Sequence, residues 1–383
     1  FLLLGDNAYV TATDAQYQAA VFNEHAAMLR TTPVWSVVGN HEVLSSNSVT
    51  QTGPYFDMFT FPTAGEAGGV ASGTEAYYAF DHGNTHFIVL DSEQAPAAPG
   101  TPMLTWLEAD LQAAVLQNPT WIVAAWHRPP YSKGLLHDSD TETAEIRMRQ
   151  YVLPILDAYG VDVVFNGHSH NYERSYLIDG HYGLSTTFDD SFKVEPGDGD
   201  PAGDGAYRKS DVVPAPHSGT VYVVNGSGSE VRMTTLNHPA MIRGLLELGS
   251  VVLDVDDTTL TAQFLTSTGA VHDVFRIVKG LTCPPTPAAG CGTAAKGKLL
   301  LADNADPGKD KWKWKWKGGT LAAVDVGDPN DQTDLALCVY DATGALAGGT
   351  IPHGSGNWSA TPTSLSYQDD SAALHGLSKV TLK

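Results

Sequence analysis

The sequence predicts an α/β domain followed by an all-β module. Two observations carry that expectation. Through residue 280, short runs of apolar, β-branched and aromatic residues alternate with segments whose apolar residues recur at helical spacing. Beyond residue 292 the helical period disappears, and short strand-like runs are separated by turn residues. In the first part, "FLLLGDNAYV" (1–10), "PVWSVVGNHE" (33–42), "WIVAAWHRP" (121–129) and "VDVVFNGHSH" (161–170) are mostly apolar runs ending in a polar cluster. Strands buried on both faces read this way. Helices are expected over 14–29, 102–117 and 143–159, the second with Leu104, Leu107, Leu111 and Val115 on one stripe. "AYYAFDHGNTHFIVLD" (76–91) reads as a hairpin turning at Gly83-Asn84. "GTVYVVNGSG" (219–228) and "SVVLDVDDTTLTAQFL" (250–265) read as later strands, and the Asp-, Gly- and Pro-rich stretch 187–218 as a surface excursion.

The expected boundaries are 1–280 for the α/β domain, 281–292 ("LTCPPTPAAGCG") for a linker and 293–383 for a β-sandwich-like accessory domain. Residue 1 is not Met and lies inside a strand-like run, and Lys383 ends the alternating run "LSKVTLK". Both domains are therefore expected to be truncated at their outer ends.

Composition narrows the partners. A net charge of −21 argues against nucleic acid or an anionic membrane, and no apolar stretch is long enough to span a bilayer. An anionic substrate then needs local cations, which metal ions supply. The three cysteines, Cys283, Cys291 and Cys338, all fall late. A disulfide would suit an oxidising compartment. Cys291 with Cys338 would tie the start of the module to its "LCVYD" strand; Cys283 with Cys291 is the competing pair. In the module, "KWKWKWK" (311–317) alternates Trp312, Trp314 and Trp316 with four lysines. The plain reading is a strand packing its tryptophans into a core, and the functional one an aromatic platform for a polysaccharide, a surface or a base. The Asp-rich loops 303–310 and 325–334 lack a regular ligand spacing with a closing Glu, so they read as solvated turns and not as Ca²⁺ sites.

The chemistry concentrates at strand ends. Ligands of open α/β sheets bind beyond the carboxyl ends of the strands. Four apolar runs end there in potential metal ligands: Asp6 with Tyr9, Asn40 with His41, His127, and His168 with His170. Singly, each has a plain alternative. Asp6 would cap a turn, Asn40 is an ordinary turn residue, and His127 would be a satisfied core histidine. Together they predict one convergent site for a borderline or hard cation such as Zn, Fe or Mn.

In this order, "GDNAY", "GNHE", "HRP" and "GHSH" resemble the calcineurin-like metallophosphoesterases. The Tyr three residues after the Asp, and the continuation "GHSHNYERSYLIDGHYG" (167–183), are similar to the purple acid phosphatase branch and its bacterial relatives. The resemblance covers roughly residues 1–280. It implies a metallophosphoesterase-type β-sandwich flanked by helices, and a site of two metal ions. Asp6 would bridge both ions. Tyr9 and His170 would bind an Fe(III) ion with tyrosinate colour. Asn40, His127 and His168 would bind a divalent Zn, Mn or Fe. His41 would contact the substrate phosphate without ligating, and His137, ten residues after His127, is placed like the histidine that protonates the leaving group. A plain loop histidine is the alternative for His137, and Glu42 is expected to be a supporting carboxylate. The family's earlier D-x-G motif has no counterpart, so one ligand of the first metal is expected to be missing and "FLLLGDNAYV" corresponds to the family's second strand.

The implied function is a metal-dependent phosphoric ester hydrolase, foremost a phosphomonoesterase of the acid phosphatase type. A water activated at the two-metal centre would attack phosphorus, and His41 or His137 would assist the leaving alkoxide. Fe(III) implies an acid optimum. The alternatives are a phosphodiesterase or nucleotide pyrophosphatase on the same centre, or a non-catalytic surface-binding module. Late cysteines and the family's habits imply a secreted, periplasmic or extracellular protein.

Overall fold

The computed structural model describes residues 1–211, 213–280, 296–302, 311–317, 335–341, 344–351, 358–361, 364–368 and 379–382. The chain divides into two compact units, Phe1–Gly280 and Leu281–Lys383.

The first unit is built on a seven-stranded mixed sheet with the order β10-β7-β9-β6-β5-β4-β3. Its centre is parallel: β4 (Thr85–Val89), β5 (Trp121–Ala125), β6 (Val163–Asn166) and β9 (Thr220–Asn225). Every residue of β5 and β6 is buried, as their unbroken apolar runs require. The rims are antiparallel, with β3 (Tyr78–His82) on β4 and β7 (Tyr172–Ile178) and β10 (Met241–Leu245) beyond β9. The β3–β4 hairpin turns at Gly83-Asn84, where the sequence places it.

β1 (Leu2–Leu3) and β2 (Trp35–Ser36) form a separate parallel pair with Leu2 opposite Trp35. Buried phenols fasten this pair to the rest. Tyr55 and Tyr78 each donate to the Ser36 carbonyl at 2.9 Å, and Tyr78 also accepts from the Ser36 amide. Trp35 stacks on Phe80 at 3.8 Å, and Phe80 on Phe87 at 4.8 Å. Phenol-to-backbone bonds satisfy buried groups that an ordinary ladder would have paired.

The expected helices form, but two are interrupted. α4 (Pro102–Gln117) is regular: Pro102 pre-sets the first turn, Asn118 closes it in the left-handed region, and Leu104, Leu107 and Leu111 are buried. The run 14–29 splits into α1 (Asp14–Tyr17), a π-helical turn (Gln18–Asn23) and α2 (Ala26–Leu29). The run 143–159 splits into α5 (Thr143–Arg147), a π turn (Met148–Val152) and α6 (Leu153–Tyr159). Pro154 explains the second break, because it brings no N–H to continue an α-helical ladder. α3 (Pro54–Met58) is a short further turn.

A four-stranded sheet, β11-β12-β13-β8, packs on the first. The run 250–265 is not one strand but a hairpin of β11 (Gly249–Asp256) and β12 (Thr259–Thr266), with Asp257 at a φ of 48° in the turn. The excursion 187–218 is less superficial than its composition suggests. It contributes β8 (Tyr207–Lys209), which pairs in parallel with β13 (Val271–Lys279) and buries Tyr207 and Lys209. Tyr172 stacks on Phe264 at 4.3 Å and donates to Asp273, which also holds Arg174. Asp162 is buried between two ammonium groups, with Lys209 and Lys279 Nζ each at 2.7 Å. The fold is thus a mixed α/β sandwich with few helices.

The second unit is antiparallel throughout its described strands: β14 (Lys296–Ala302) with β15 (Lys311–Lys317), β16 (Leu335–Asp341) with β17 (Gly344–Ile351), and β18 (Trp358–Thr361) with β19 (Ser364–Gln368) and β20 (Lys379–Leu382). The register sets Trp312 opposite Leu301 and Trp314 opposite Leu299. Cys338 is disulfide-bonded. The expected linker 281–292, Cys283, Cys291 and the Asp-rich loops 303–310 and 325–334 lie outside the described residues. Among the described residues, no helix is long and apolar enough to cross a membrane.

Burial opposes the Asp162 charge, yet Lys209 and Lys279 hold its carboxyl below the usual range. Asp162→Asn leaves two buried cations facing each other and is expected to cost roughly 3–5 kcal/mol at neutral pH in denaturant titrations. A lowered carboxyl stabilises fully above the ordinary range, near about pH 4, and the gain is lost as pH falls through the lowered value. The two proteins should therefore converge in acid.

Candidate metal centre

The strand tips converge through backbone contacts. Leu3 accepts from the Val37 amide at 2.9 Å, the His127 carbonyl accepts from Gly167 at 2.9 Å, and His127 Nδ1 donates to the Leu4 carbonyl at 2.8 Å. The ends of β1, β2, β5 and β6 are thereby joined.

Two glycines allow the closeness. Gly5 has a φ of +87°, and a Cβ there would strike His127 Nδ1 and Gly39 Cα. A Cβ on Gly39 would fall on the Asp6 amide and the Glu42 carboxylate. Asp6 and His168 also hold positive φ, 54° and 63°, which side chains larger than glycine adopt only under local constraint. The constraint on Asp6 comes from Glu42, which is wholly buried. Its Oε2 accepts from Asp6 N (2.7 Å) and Gly39 N (2.9 Å), and its Oε1 from Asn7 N (2.9 Å) and Tyr17 Oη (3.0 Å). One carboxylate staples the first two loops together.

Asp6 sits at the middle. Its Oδ1 accepts from the His41 amide at 2.8 Å, leaving Oδ2 for the site. Oδ2 lies 3.2 Å from His127 Nε2, 3.5 Å from Tyr9 Oη and 3.9 Å from His41 Nε2. On one side His127 Nε2 also meets Asn40 Oδ1 at 3.1 Å, and ligand atoms of Asp6, His127 and His168 lie within 4.8 Å of one another. On the other side Tyr9 Oη lies 3.2 Å from His170 Nε2. The structure thus brings Asp6, Tyr9, Asn40, His127, His168 and His170 into one cluster. His41 stands at its rim, with Nδ1 donating to the Val10 carbonyl at 2.6 Å and its ring 4.5 Å from Tyr9. His137 also belongs here: its ring lies 3.8 Å from that of His168 and 6.2 Å from that of His170.

The donor set fits a cation. His127 Nδ1 carries a hydrogen because it faces a carbonyl, so in the neutral ring Nε2 is a lone pair aimed at two oxygen acceptors. Such an arrangement needs a metal or an additional proton between its members. With a proton, burial opposes the charge but Asp6 pushes the His127 imidazolium up to about 9. Asp6 is likewise held well below the carboxylate range by His127 and His41, against its own burial. Among the described residues, His168 Nδ1 is buried with no hydrogen-bond partner, which leaves it available to a cation. Burial, then Asp6, Glu42 and Glu230, raises the Tyr9 hydroxyl, so a phenolate there requires a strong nearby cation.

Most of the other side chains at the site carry no signal in the sequence. Arg128 Nε binds Glu93 Oε1 and Oε2 at 2.9 and 3.0 Å, and its Nη1 forms an ion pair with Glu142. Glu142 reaches His137 Nδ1 (2.9 Å) and His168 Nε2 (3.1 Å). Glu145 is buried beside them with neither oxygen hydrogen-bonded, 4.0 Å from His168 Nε2. Glu230, from a distant loop, stands 3.2 Å from His170 Nδ1 at ion-pair distance. Arg128 was at least visible inside "HRP"; the carboxylates follow no fixed spacing.

The family model for calcineurin-like phosphoesterases matches residues 1–172, the segment that carries these strand tips. This chain carries a calcineurin-like phosphoesterase domain. The phosphoesterase domain has purple acid phosphatase homologues. Purple acid phosphatase 15 of Arabidopsis thaliana is 34% identical over 146 residues, which is 38% of this chain and 26% of that protein. Phosphoenolpyruvate phosphatase of Allium cepa is 30% identical over 146 residues, 38% of this chain and 29% of that protein. The matches to these two relatives thus span under a third of their length. Among solved structures, the purple acid phosphatase PPD1 from yellow lupin (Lupinus luteus) seeds aligns with a TM-score of 0.56 at 21% identity, covering 76% of this chain and 49% of that one. The last comparison establishes the shared fold. The purple acid phosphatase homologues imply a dinuclear metal centre, and the His and Asp groups described here are of the type that binds one.

Glu42→Gln would set an amide N–H₂ against donors that now share a carboxylate. The expected result is a loss of roughly 1–3 kcal/mol by chemical denaturation. A weakened metal affinity should accompany it, read by calorimetric titration with Zn²⁺.

Proposed function

We propose that Phe1–Gly280 hydrolyses phosphomonoesters and that its strand tips would hold a pair of metal ions, with Asp6 contributing to both. Tyr9 and His170 would contribute to one donor set, and Asn40, His127 and His168 to the other. The observation that carries the reading is the position of Asp6 Oδ2, between His127 at 3.2 Å and Tyr9 at 3.5 Å. Two bound cations would acidify water and neutralise the phosphoryl oxygens.

The chain's own groups supply the rest. His41, at the rim beside Asp6, would contact the phosphate through Nε2 with a second proton there, since its Nδ1 hydrogen goes to the Val10 carbonyl. His137 is held at Nδ1 by Glu142, so Nε2 is the atom that would take up a second proton and pass it to the departing alkoxide. Glu93 grips Arg128, which is ion-paired with the Glu142 that holds His137. We assign Fe(III) to the Tyr9 side, because a phenol raised by burial and carboxylates ionises best next to a trivalent cation, and Zn, Mn or Fe(II) to the other. The monoester preference is supported by a relative whose name specifies phosphoenolpyruvate, itself a monoester. We also place the protein in an oxidising, extracytoplasmic compartment, for which the disulfide at Cys338 is the support.

The test compares nitrophenyl phosphate with bis(nitrophenyl) phosphate on the wild type and on Asp6→Asn, with metal content measured alongside. The reading expects faster turnover of the monoester and loss of both activity and bound metal in the variant. Faster cleavage of the diester would make the protein a diesterase, and an active, metal-replete Asp6→Asn would remove the site altogether. In the pH–rate profile, an optimum above about 8 would count against Fe(III).

A further inference from the structure

We infer that Glu142 is a positioning residue that fixes the tautomers of two histidines with different tasks, keeping the hydrogen on Nε2 of His168 and on Nδ1 of His137. What the tautomers serve rests on the two-metal reading above; the tautomers themselves do not.

The carboxylate is shared. Oε1 lies 2.9 Å from His137 Nδ1, and Oε2 lies 3.1 Å from His168 Nε2. It is also braced. Its amide donates to the Asp138 carbonyl at 3.2 Å, its own carbonyl accepts from Ile146 at 3.0 Å, and its side chain is ion-paired to Arg128. Arg128 in turn is gripped by Glu93, a residue just beyond β4 whose amide bonds Asp91 Oδ1 at 2.7 Å. The clamp is therefore referred back to the ends of β4 and β5, not left to a free loop.

A rival donor stands next to it. Arg128 Nη1 lies 3.1 Å from His168 Nε2, so a bare Nε2 would accept from the guanidinium instead. Two facts decide for Glu142. A bare Nε2 would turn its lone pair toward a carboxylate oxygen. The hydrogen would then sit on Nδ1, which is buried and has no acceptor; an orphaned donor of that kind costs roughly 1–3 kcal/mol. With the hydrogen on Nε2, Nδ1 is a free lone pair, which is what a metal ligand requires, and the carboxylate–histidine arrangement is one that metal sites use to orient their imidazoles. On His137 the same carboxylate takes the Nδ1 hydrogen and leaves Nε2 as the exchanging nitrogen. A single side chain thus sets one ring as a ligand and the other as a proton carrier.

The test begins on the metal-free protein. Long-range ¹H–¹⁵N spectra of histidine-labelled wild type should show Nε2–H on His168 and Nδ1–H on His137. Glu142→Gln should mix the tautomers of both rings, and Glu142→Asp should restore at least one. A wild-type His168 protonated at Nδ1, or spectra unchanged in Glu142→Gln, would overturn the inference. A second arm titrates Zn²⁺ by calorimetry: Glu142→Gln should weaken one site roughly 10–100-fold and leave the other in place, whereas unchanged affinity at both would overturn the link to the metal. If the wild type neither binds Zn²⁺ nor cleaves the monoester, the hydrolase reading falls, and the tautomer spectra decide the clamp on their own.

Discussion

The structure depends on one histidine. His127 gives its Nδ1 hydrogen to the backbone at Leu4 and so commits Nε2 to the space between Asp6 and Asn40. That bond joins the end of β5, a central strand of the main sheet, to the end of β1, which belongs to a separate two-stranded sheet. It adds to the buried phenols, aromatic stacking and apolar packing that fasten the outer pair, and it holds the tips of β1 and β5 together. The same bond makes the centre electrostatically incomplete. Lone pairs from an imidazole, a carboxylate and an amide oxygen face one another, and a positive charge has to sit among them.

A site of this kind concentrates repulsion, so the surrounding chain is built to resist it. Asp6 and His168 adopt left-handed backbone, Gly5 and Gly39 remove the Cβ atoms that would collide, and Glu42 spends its whole carboxylate on amides and a phenol. Glu42 keeps a raised carboxyl through burial and the neighbouring Asp6, a strain its hydrogen bonds offset. The second sheet carries a comparable burden far from the tips, with Asp162 between Lys209 and Lys279. Both arrangements put charge where hydrophobic packing would be easier, and both fix the relation between chain segments distant in sequence.

Much of this was legible in the residues. A central strand shows as an unbroken apolar run, and a ligand at its tip shows as a polar residue closing the run, just after a glycine for Asp6, Asn40 and His168, so these three with His127 and His170 could be read as a group. His137 carried only a spacing from His127, and the geometry beside His168 gives that spacing a reason. Glu142 and Glu230 were illegible because their positions depend on how loops fold over the tips, and loops have no period; Glu145 lies in α5, whose period does not say what its buried carboxylate faces. Tyr207 and Lys209 were hidden for a related cause: a three-residue strand inside an Asp- and Gly-rich stretch offers too little alternation to announce burial. The hairpin at Asp257 was masked because "DVDDTTLT" keeps strand-like residues on both sides of its turn. The π turn before Pro154 was readable in principle, since a proline within a helical period predicts a break near it.

The most direct measurement is anomalous diffraction from crystals soaked with Zn²⁺ or Mn²⁺. Two peaks about 3.5–4 Å apart, with Asp6 in contact with both and His127 in contact with one, are the predicted result. A single peak, or peaks held away from Asp6, would contradict the idea that these strand tips exist to gather a pair of cations.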